Sequence, residues 1–231
     1  MKRLIIANWK MNGSKQLIQE FRSLKDAFGT VAVICPPACF LPLLAETSMI
    51  FGGQNCHYAT SGAFTGEISA AQLKELGCTY VILGHSERRS QFKETDSIVN
   101  QKAAQAIERG LIPIICMGET YEERHEGRFE QVLLSQLDRS THRLNPQRFV
   151  IAYEPIWSIG TGLVATENDI QNVITLIQGR LGDTTPIIYG GSVNDKNAEA
   201  LSNIPGLNGV LVGGASLNVP TFQSIIDAFQ V

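Results

Sequence analysis

A basic run is missing from this chain. Its 19 lysines and arginines are outnumbered by 22 aspartates and glutamates, for a formal net charge of −3. Without a positive patch, neither nucleic acid nor an anionic membrane surface is expected as a partner. Long apolar runs are missing too. Residues 4–7, behind Lys2 and Arg3, are far fewer than the core of a signal peptide needs. No segment reaches the length that spans a bilayer, so the expectation is a cytoplasmic protein with no membrane partner. Cysteine is sparse and unpatterned: Cys35, Cys39, Cys56, Cys78 and Cys116 make an odd set with no C-x-x-C, and the four histidines complete no zinc pattern with them. Reduced thiols in or near a core are expected instead, with no metal. Linker-like and low-complexity stretches are also lacking, so the 231 residues read as a single domain, long enough to bury a sizeable core.

What is present is a strict alternation. Short runs rich in valine and isoleucine fall at residues 3–8, 31–35, 50–54, 80–83, 112–116, 149–153, 186–189 and 209–212. Most are continuously apolar, as parallel strands covered on both faces must be. Between them lie segments of helical period at residues 15–28, 95–109, 128–140, 167–181 and 219–229, and shorter ones at 39–47, 69–76 and 194–202. Eight strands, each followed by a helix, predict an α/β fold with a parallel sheet. Closure into a single-domain (β/α)8 barrel is the first expectation and an open doubly wound sheet the alternative.

In such barrels chemistry sits where strands end and the following loops begin, and those positions carry unusual polar residues here. Glu154 ends the sixth strand and is held extended by Pro155, which suits an aimed general base; the plain alternative is a solvated loop glutamate. Ile156, Trp157 and Ile159 follow, with Gly160 and Gly162 beyond. Large apolar residues in a loop suggest a surface that becomes covered, as under a lid. His85 follows the fourth strand and can donate to a substrate oxygen as a neutral imidazole, or be a packed structural histidine. Glu87 is a second proton carrier or the partner of a nearby cation, and Arg88 and Arg89 are expected in structural ion pairs. Asn8 and Lys10 share strand parity, so both can face inward; Lys10 there suggests an anion, against the commoner snorkelling surface lysine. Glycine pairs in Tyr189-Gly-Gly-Ser-Val193 and Val212-Gly-Gly-Ala215 follow strands seven and eight, where a phosphate site recurs in these barrels; read separately, each is a tight turn.

Two motifs mislead. Gly84-His-Ser-Glu-Arg88 approaches a hydrolase nucleophile elbow, but Arg88 stands where a second glycine is required. Gly160-Thr-Gly-Leu-Val-Ala165 fits a loose dinucleotide pattern, yet it does not follow its strand directly.

Nearly the whole chain resembles the triosephosphate isomerases. The matching segments, in family order, include Asn8-Trp-Lys-Met-Asn-Gly13, Gln54-Asn-Cys56, Ser61-Gly-Ala-Phe-Thr-Gly-Glu67, Gly84-His-Ser-Glu-Arg-Arg89, Cys116-Met-Gly-Glu119, Tyr153-Glu-Pro-Ile-Trp157, Tyr189-Gly-Gly-Ser-Val193 and Val212-Gly-Gly-Ala-Ser216. The resemblance implies an isomerase that interconverts dihydroxyacetone phosphate and D-glyceraldehyde 3-phosphate through an enediolate, with no cofactor. It implies Glu154 as the base, His85 as the neutral electrophile, Lys10 and Asn8 as supports for negative charge and Glu87 as an accessory carboxylate. Backbone at Gly160, Ser192, Gly213 and Gly214 would hold the phosphate, and the loop from Ser61 to Glu67 would enter a partner subunit of a homodimer. The chain departs from the family at Ser158, where alanine is usual, and at Leu163-Val164, where lysine-threonine is frequent. A non-catalytic sugar-phosphate-binding barrel is the competing reading. A barrel lyase or synthase would want a Schiff-base lysine or a metal cluster, and neither stands out.

Overall fold

The computed structural model describes residues 2–159 and 163–230. Eight parallel strands run in sequence order around a closed barrel: β1 (Arg3–Asn8), β2 (Thr30–Cys35), β3 (Ile50–Gly53), β4 (Tyr80–Leu83), β5 (Ile112–Met117), β6 (Val150–Tyr153), β7 (Ile187–Tyr189) and β8 (Gly209–Val212). Arg3 lies opposite Thr30 on one side of β1 and Leu4 opposite Gly209 on the other, which closes the ring and removes the open-sheet alternative. The helices are α1 (Lys15–Phe21), α2 (Leu41–Ala45), α3 (Ala70–Glu75), α4 (Ser86–Phe92), α5 (Asp96–Glu108), α6 (Tyr121–His125), α7 (Phe129–Ser140), α8 (Glu167–Leu181), α9 (Ala198–Ser202) and α10 (Val219–Ala228). Several begin at side chains that accept an otherwise orphaned amide. Reciprocal capping boxes join Ser69 to Gln72, Thr120 to Glu123 and Thr166 to Asp169.

Strand parity sorts the apolar side chains into two cores. Ile5, Ala7, Val81, Leu83, Ile115 and Ile151 point outward and meet the helices. Their neighbours Leu4, Ile6, Ile82, Ile114, Val150 and Leu211 fill the barrel interior. Side chains alternate across a strand, so each inward position recurs two residues later. The inward rows therefore run from apolar packing straight into the polar mouth, from Ile6 to Asn8 and from Ala152 to Glu154.

Among the differences from expectation, two have a plain physical cause. Helix α1 ends at Phe21 instead of continuing to residue 28. The amides of Ser23 and Leu24 bond back three residues, tightening the last turn. The side chain of Gln223 on α10 then takes both backbone groups of Lys25, accepting its N–H at 2.8 Å and donating to its carbonyl at 3.3 Å. That tertiary clamp holds the chain out of the helical path, overriding a weak local propensity. Helix α4 was not expected from the sequence. Its cap is the ring of His85, which accepts the Glu87 amide, and histidine is not a usual capping residue.

Candidate active site

Asn8, Lys10, His85 and Glu154 line one cavity of about 270 Å³ at the C-terminal mouth of the barrel. Ser192, Gly213 and Gly214 complete its far wall. A larger hollow of about 800 Å³ opens beside it, over Ser86, Glu87 and Glu123, but the imidazole, the ammonium and the glycine turns converge on the smaller one. Glu87 sits at the rim between the two, and Gly160 lies outside the described residues.

Glu154 is 2% exposed. Its Oε2 accepts the Ser86 amide at 3.1 Å, and its Oε1 has no hydrogen-bond partner. The nearest histidine nitrogen, Nε2 of His85, lies 3.4 Å from Oε1, too far for a strong hydrogen bond. Among the described residues no lysine or arginine pairs with Glu154; every such pair lies elsewhere. Gly190 makes room for this side chain, since a Cβ there would stand 2.8 Å from Glu154 Cγ.

His85 is also buried. Its Nδ1 accepts the Glu87 amide at 3.2 Å, so this nitrogen cannot carry the proton. The hydrogen-bond pattern assigns the ring as neutral with its N–H at Nε2, on the Glu154 side. Lys10 Nζ meets Glu87 Oε1 at 2.8 Å. Both side chains are partly exposed, so the pair is weak and easily exchanged for a ligand oxygen. Arg88 and Arg89 turn away and pair with Glu94 and Asp96 at 2.5 and 2.6 Å, as expected.

Lys10 adopts a left-handed backbone with φ +52°, a conformation that costs a non-glycine residue about 1–2 kcal/mol. Three bonds hold it there. Its N–H donates to Asn8 Oδ1 at 3.1 Å, and Gln54 Nε2 donates to the carbonyls of Lys10 and Cys35 at 2.9 and 2.8 Å. In the sequence Gln54 stands out only through the resemblance; its position at the end of the third strand is the available signal.

The loop after β6 is less open than its apolar residues suggested. Ser158 is fully buried and Ile159 lines the cavity, while Ile156 remains 38% exposed. Trp157 Nε1 donates to Glu119 Oε1 at 2.9 Å. That same oxygen accepts Tyr153 OH at 3.0 Å and Arg124 Nε at 2.6 Å. Nothing in the sequence by itself marks Glu119 or Arg124 as functional. Burial, with the Glu119 carboxylate beside it, pushes the Tyr153 hydroxyl above the usual phenol range. Burial, with Glu154 beside it, likewise keeps the Cys116 thiol well above its ordinary range.

The geometry thus supplies a buried carboxylate with a free oxygen, a neutral N–H donor, one ammonium and two glycine turns around a space suited to a small ligand. Comparisons with known proteins identify the family. The chain matches the family model described as triosephosphate isomerase over residues 3–229. A triosephosphate isomerase from Wolbachia sp. subsp. Brugia malayi is 47% identical, with 100% of this chain and 99% of that protein covered. One from Dehalococcoides mccartyi is 45% identical, with 97% of this chain and 96% of that protein covered. A crystal structure of triosephosphate isomerase from Bartonella henselae superposes with a TM-score of 0.90 at 39% identity, covering 99% of each chain.

Proposed function

We infer the reaction from two premises: the chain belongs to the triosephosphate isomerase family, and a carboxylate, an imidazole and an ammonium line one cavity. The protein is an isomerase that interconverts dihydroxyacetone phosphate and D-glyceraldehyde 3-phosphate, a step common to glycolysis and gluconeogenesis. No observation favours the non-catalytic sugar-phosphate-binding alternative.

In the proposed mechanism Glu154 takes the proton from the carbon beside the substrate carbonyl and returns it to the neighbouring carbon. The observation that carries this role is a buried carboxylate with which, among the described residues, no lysine or arginine pairs and whose Oε1 accepts no hydrogen bond. Glu94 and Glu119 also have one unbonded oxygen, but cations hold them, whereas Glu154 Oε1 is free to meet a substrate proton. The His85 Nε2–H polarises the carbonyl oxygen. A neutral imidazole at this position is the known arrangement of the family rather than a new result. Asn8 and Lys10 support the negative charge that develops on the enediolate. Asn8 is suited to this, since its Oδ1 is committed to the Lys10 amide and its amide N–H groups remain for a ligand. Glu87 acts as an accessory carboxylate that holds Lys10 when no substrate does.

The phosphate is proposed to lie against the backbone at Ser192, Gly213, Gly214 and Gly160. Gly213 and Gly214 open the short 3-10 turn Gly214–Leu217, whose leading amides are the kind that bind anions. Lys10 is the one cation among the described residues that line the cavity, so amide dipoles must carry most of that load. No cofactor or metal is required by these steps.

The chain is further proposed to work as one barrel domain and as a homodimer through the loop from Ser61 to Glu67. In support, Phe64 in that loop is 41% exposed and Met11 beside the mouth 96% exposed, surface that a symmetric partner would cover. A cytoplasmic location is proposed from the free thiols and the metabolic role; no helix among the described residues is long and apolar enough to cross a membrane.

The test is a coupled assay of purified protein with D-glyceraldehyde 3-phosphate, run alongside light scattering. Formation of dihydroxyacetone phosphate by a particle of twice the chain mass is expected. Phosphate binding without product would refute the catalytic reading, and a fully active monomer would refute the dimer.

A further inference from the structure

The loop after β7 has an unusual task. It lines the cavity from Gly190 to Asn194 without a single charged residue, so what it offers an anion is the placement of its backbone. A glycine pair cannot fix that placement alone. We propose that Asn197 and Ser158 are positioning residues that clasp this loop from two sides and set the geometry of the phosphate site; this rests on the phosphate-binding reading above.

Asn197 supplies the first side. Its Oδ1 accepts the Asn194 amide at 2.9 Å, and Asn194 Oδ1 accepts the Asn197 amide at 3.2 Å. This reciprocal box closes the turn that leads into α9. Asn197 Nδ2 makes a further bond that the helix does not need, donating to the Ser192 carbonyl at 2.9 Å. A trans peptide is planar, with C=O and N–H opposed. Anchoring the Ser192 carbonyl therefore also fixes the direction of the Val193 N–H.

Ser158 supplies the second side, from the loop after β6. Ser192 Oγ donates to the Ser158 carbonyl at 2.6 Å. The Ser158 hydroxyl, fully buried, faces Tyr189 OH at 3.5 Å. A Cβ on Gly191 would stand 2.2 Å from Tyr189 OH and 2.4 Å from Ser158 Oγ, so the glycine leaves the space that this hydroxyl pair fills. The stretch from Tyr189 to Ser192 is thus held between α9 and the β6 loop.

A cap or a core hydroxyl would affect all substrates alike, whereas a clasp on the phosphate loop affects only ligands that carry phosphate. The experiment compares wild type with Asn197→Ser, Ser158→Ala and the double variant. It measures the Kd for inorganic phosphate by calorimetry, kcat and KM for D-glyceraldehyde 3-phosphate, and kcat/KM for D-glyceraldehyde, which has no phosphate. Asn197→Ser is expected to weaken phosphate binding and raise KM about 3- to 10-fold, the worth of one net hydrogen bond. Ser158→Ala should do so by less, since its backbone carbonyl still accepts Ser192 Oγ and only the 3.5 Å contact with Tyr189 OH is lost. D-Glyceraldehyde turnover should stay within about twofold, since no such bond bears on it. An unchanged phosphate Kd in Asn197→Ser, or an equal loss for both aldehydes, overturns the proposal. Should Asn197→Ser fail to fold, Asn197→Thr, which also lacks the Nδ2 donor to Ser192, carries the same readouts. A wild-type protein with no isomerase activity refutes the functional reading instead, and its phosphate Kd values still decide the clasp.

Discussion

Glu119 and Glu154 are two buried carboxylates at the same end of the barrel, joined through adjacent residues of one strand exit, and they live in opposite environments. Tyr153 faces outward and bonds Glu119; Glu154, one residue on, faces inward. Glu119 is fully buried but ion-paired with Arg124 at 2.6 Å and also bonded by Trp157. Glu154 has one backbone amide and no cation. Burying a charge is expensive unless it is paired. The paired carboxylate recovers that cost as structure, tying α6 to the loop after β6. In the proposed mechanism the unpaired one keeps it as reactivity. Glu94, held by Arg88 and Lys102 at 2.5 Å each, falls with Glu119.

The comparison breaks most visibly at Glu154. Glu154→Gln should lower kcat/KM about 10³-fold, the scale of a lost general base, with thermal stability unchanged or slightly raised because a buried unpaired charge is gone. Unfolding of this variant would place Glu154 with Glu119 and end the distinction. His85→Ala should cost about 10²-fold in kcat, as for a single lost electrophilic donor, with little change in KM; steady-state kinetics decides. Glu119→Ala should do the reverse. Removing Glu119 takes the shared acceptor from Arg124 Nε and Tyr153 OH, although Arg124 keeps Asp169 at 3.0 Å, and a loss of about 2 kcal/mol in urea unfolding is expected, with kcat/KM retained to within about tenfold. A stability loss below about 0.5 kcal/mol, the scale of an ordinary surface change, would mean the pair is ornamental.

The smallest effect concerns the buried thiols. Burial raises Cys56 and Cys78 from 9.0 to about 12, and Cys35 and Cys116 shift the same way. The folded chain holds these protons while the unfolded chain releases them from about pH 9 upward. Their contribution to stability is therefore complete below pH 9 and declines above it, by about 1 kcal/mol per thiol at pH 10. Urea midpoints recorded from pH 7 to 10 test this. Thiol labelling at pH 8 should reach exposed Cys39 first; rapid labelling of Cys116 would contradict its burial beside Glu154.

Much of the fold was legible because burial on both faces leaves a plain signal. The strands at 3–8, 80–83 and 209–212 and the helix at 167–181 match β1, β4, β8 and α8 residue for residue. Alternation carried part of the candidate site as well, since the inward row of β1 leads to Asn8 and that of β6 to Glu154; Lys10 lies in the left-handed turn beyond β1. What stayed hidden depends on tertiary contacts. The early end of α1 is set by Gln223, almost two hundred residues away. α4 hides behind an imidazole cap. Asn197 lay inside an expected helix at residues 194–202 and showed no sign of its bond to Ser192. The strained backbone of Lys10 and its restraint by Gln54 leave no periodic trace at all.

The direct test of Glu154 is proton NMR of dihydroxyacetone phosphate formed from D-glyceraldehyde 3-phosphate in D2O. Wild type should place deuterium on the carbon that receives the returned proton, and Glu154→Gln should slow that incorporation at least about 100-fold. A Glu154→Gln variant that still incorporates deuterium at near the wild-type rate would show that another group moves the proton.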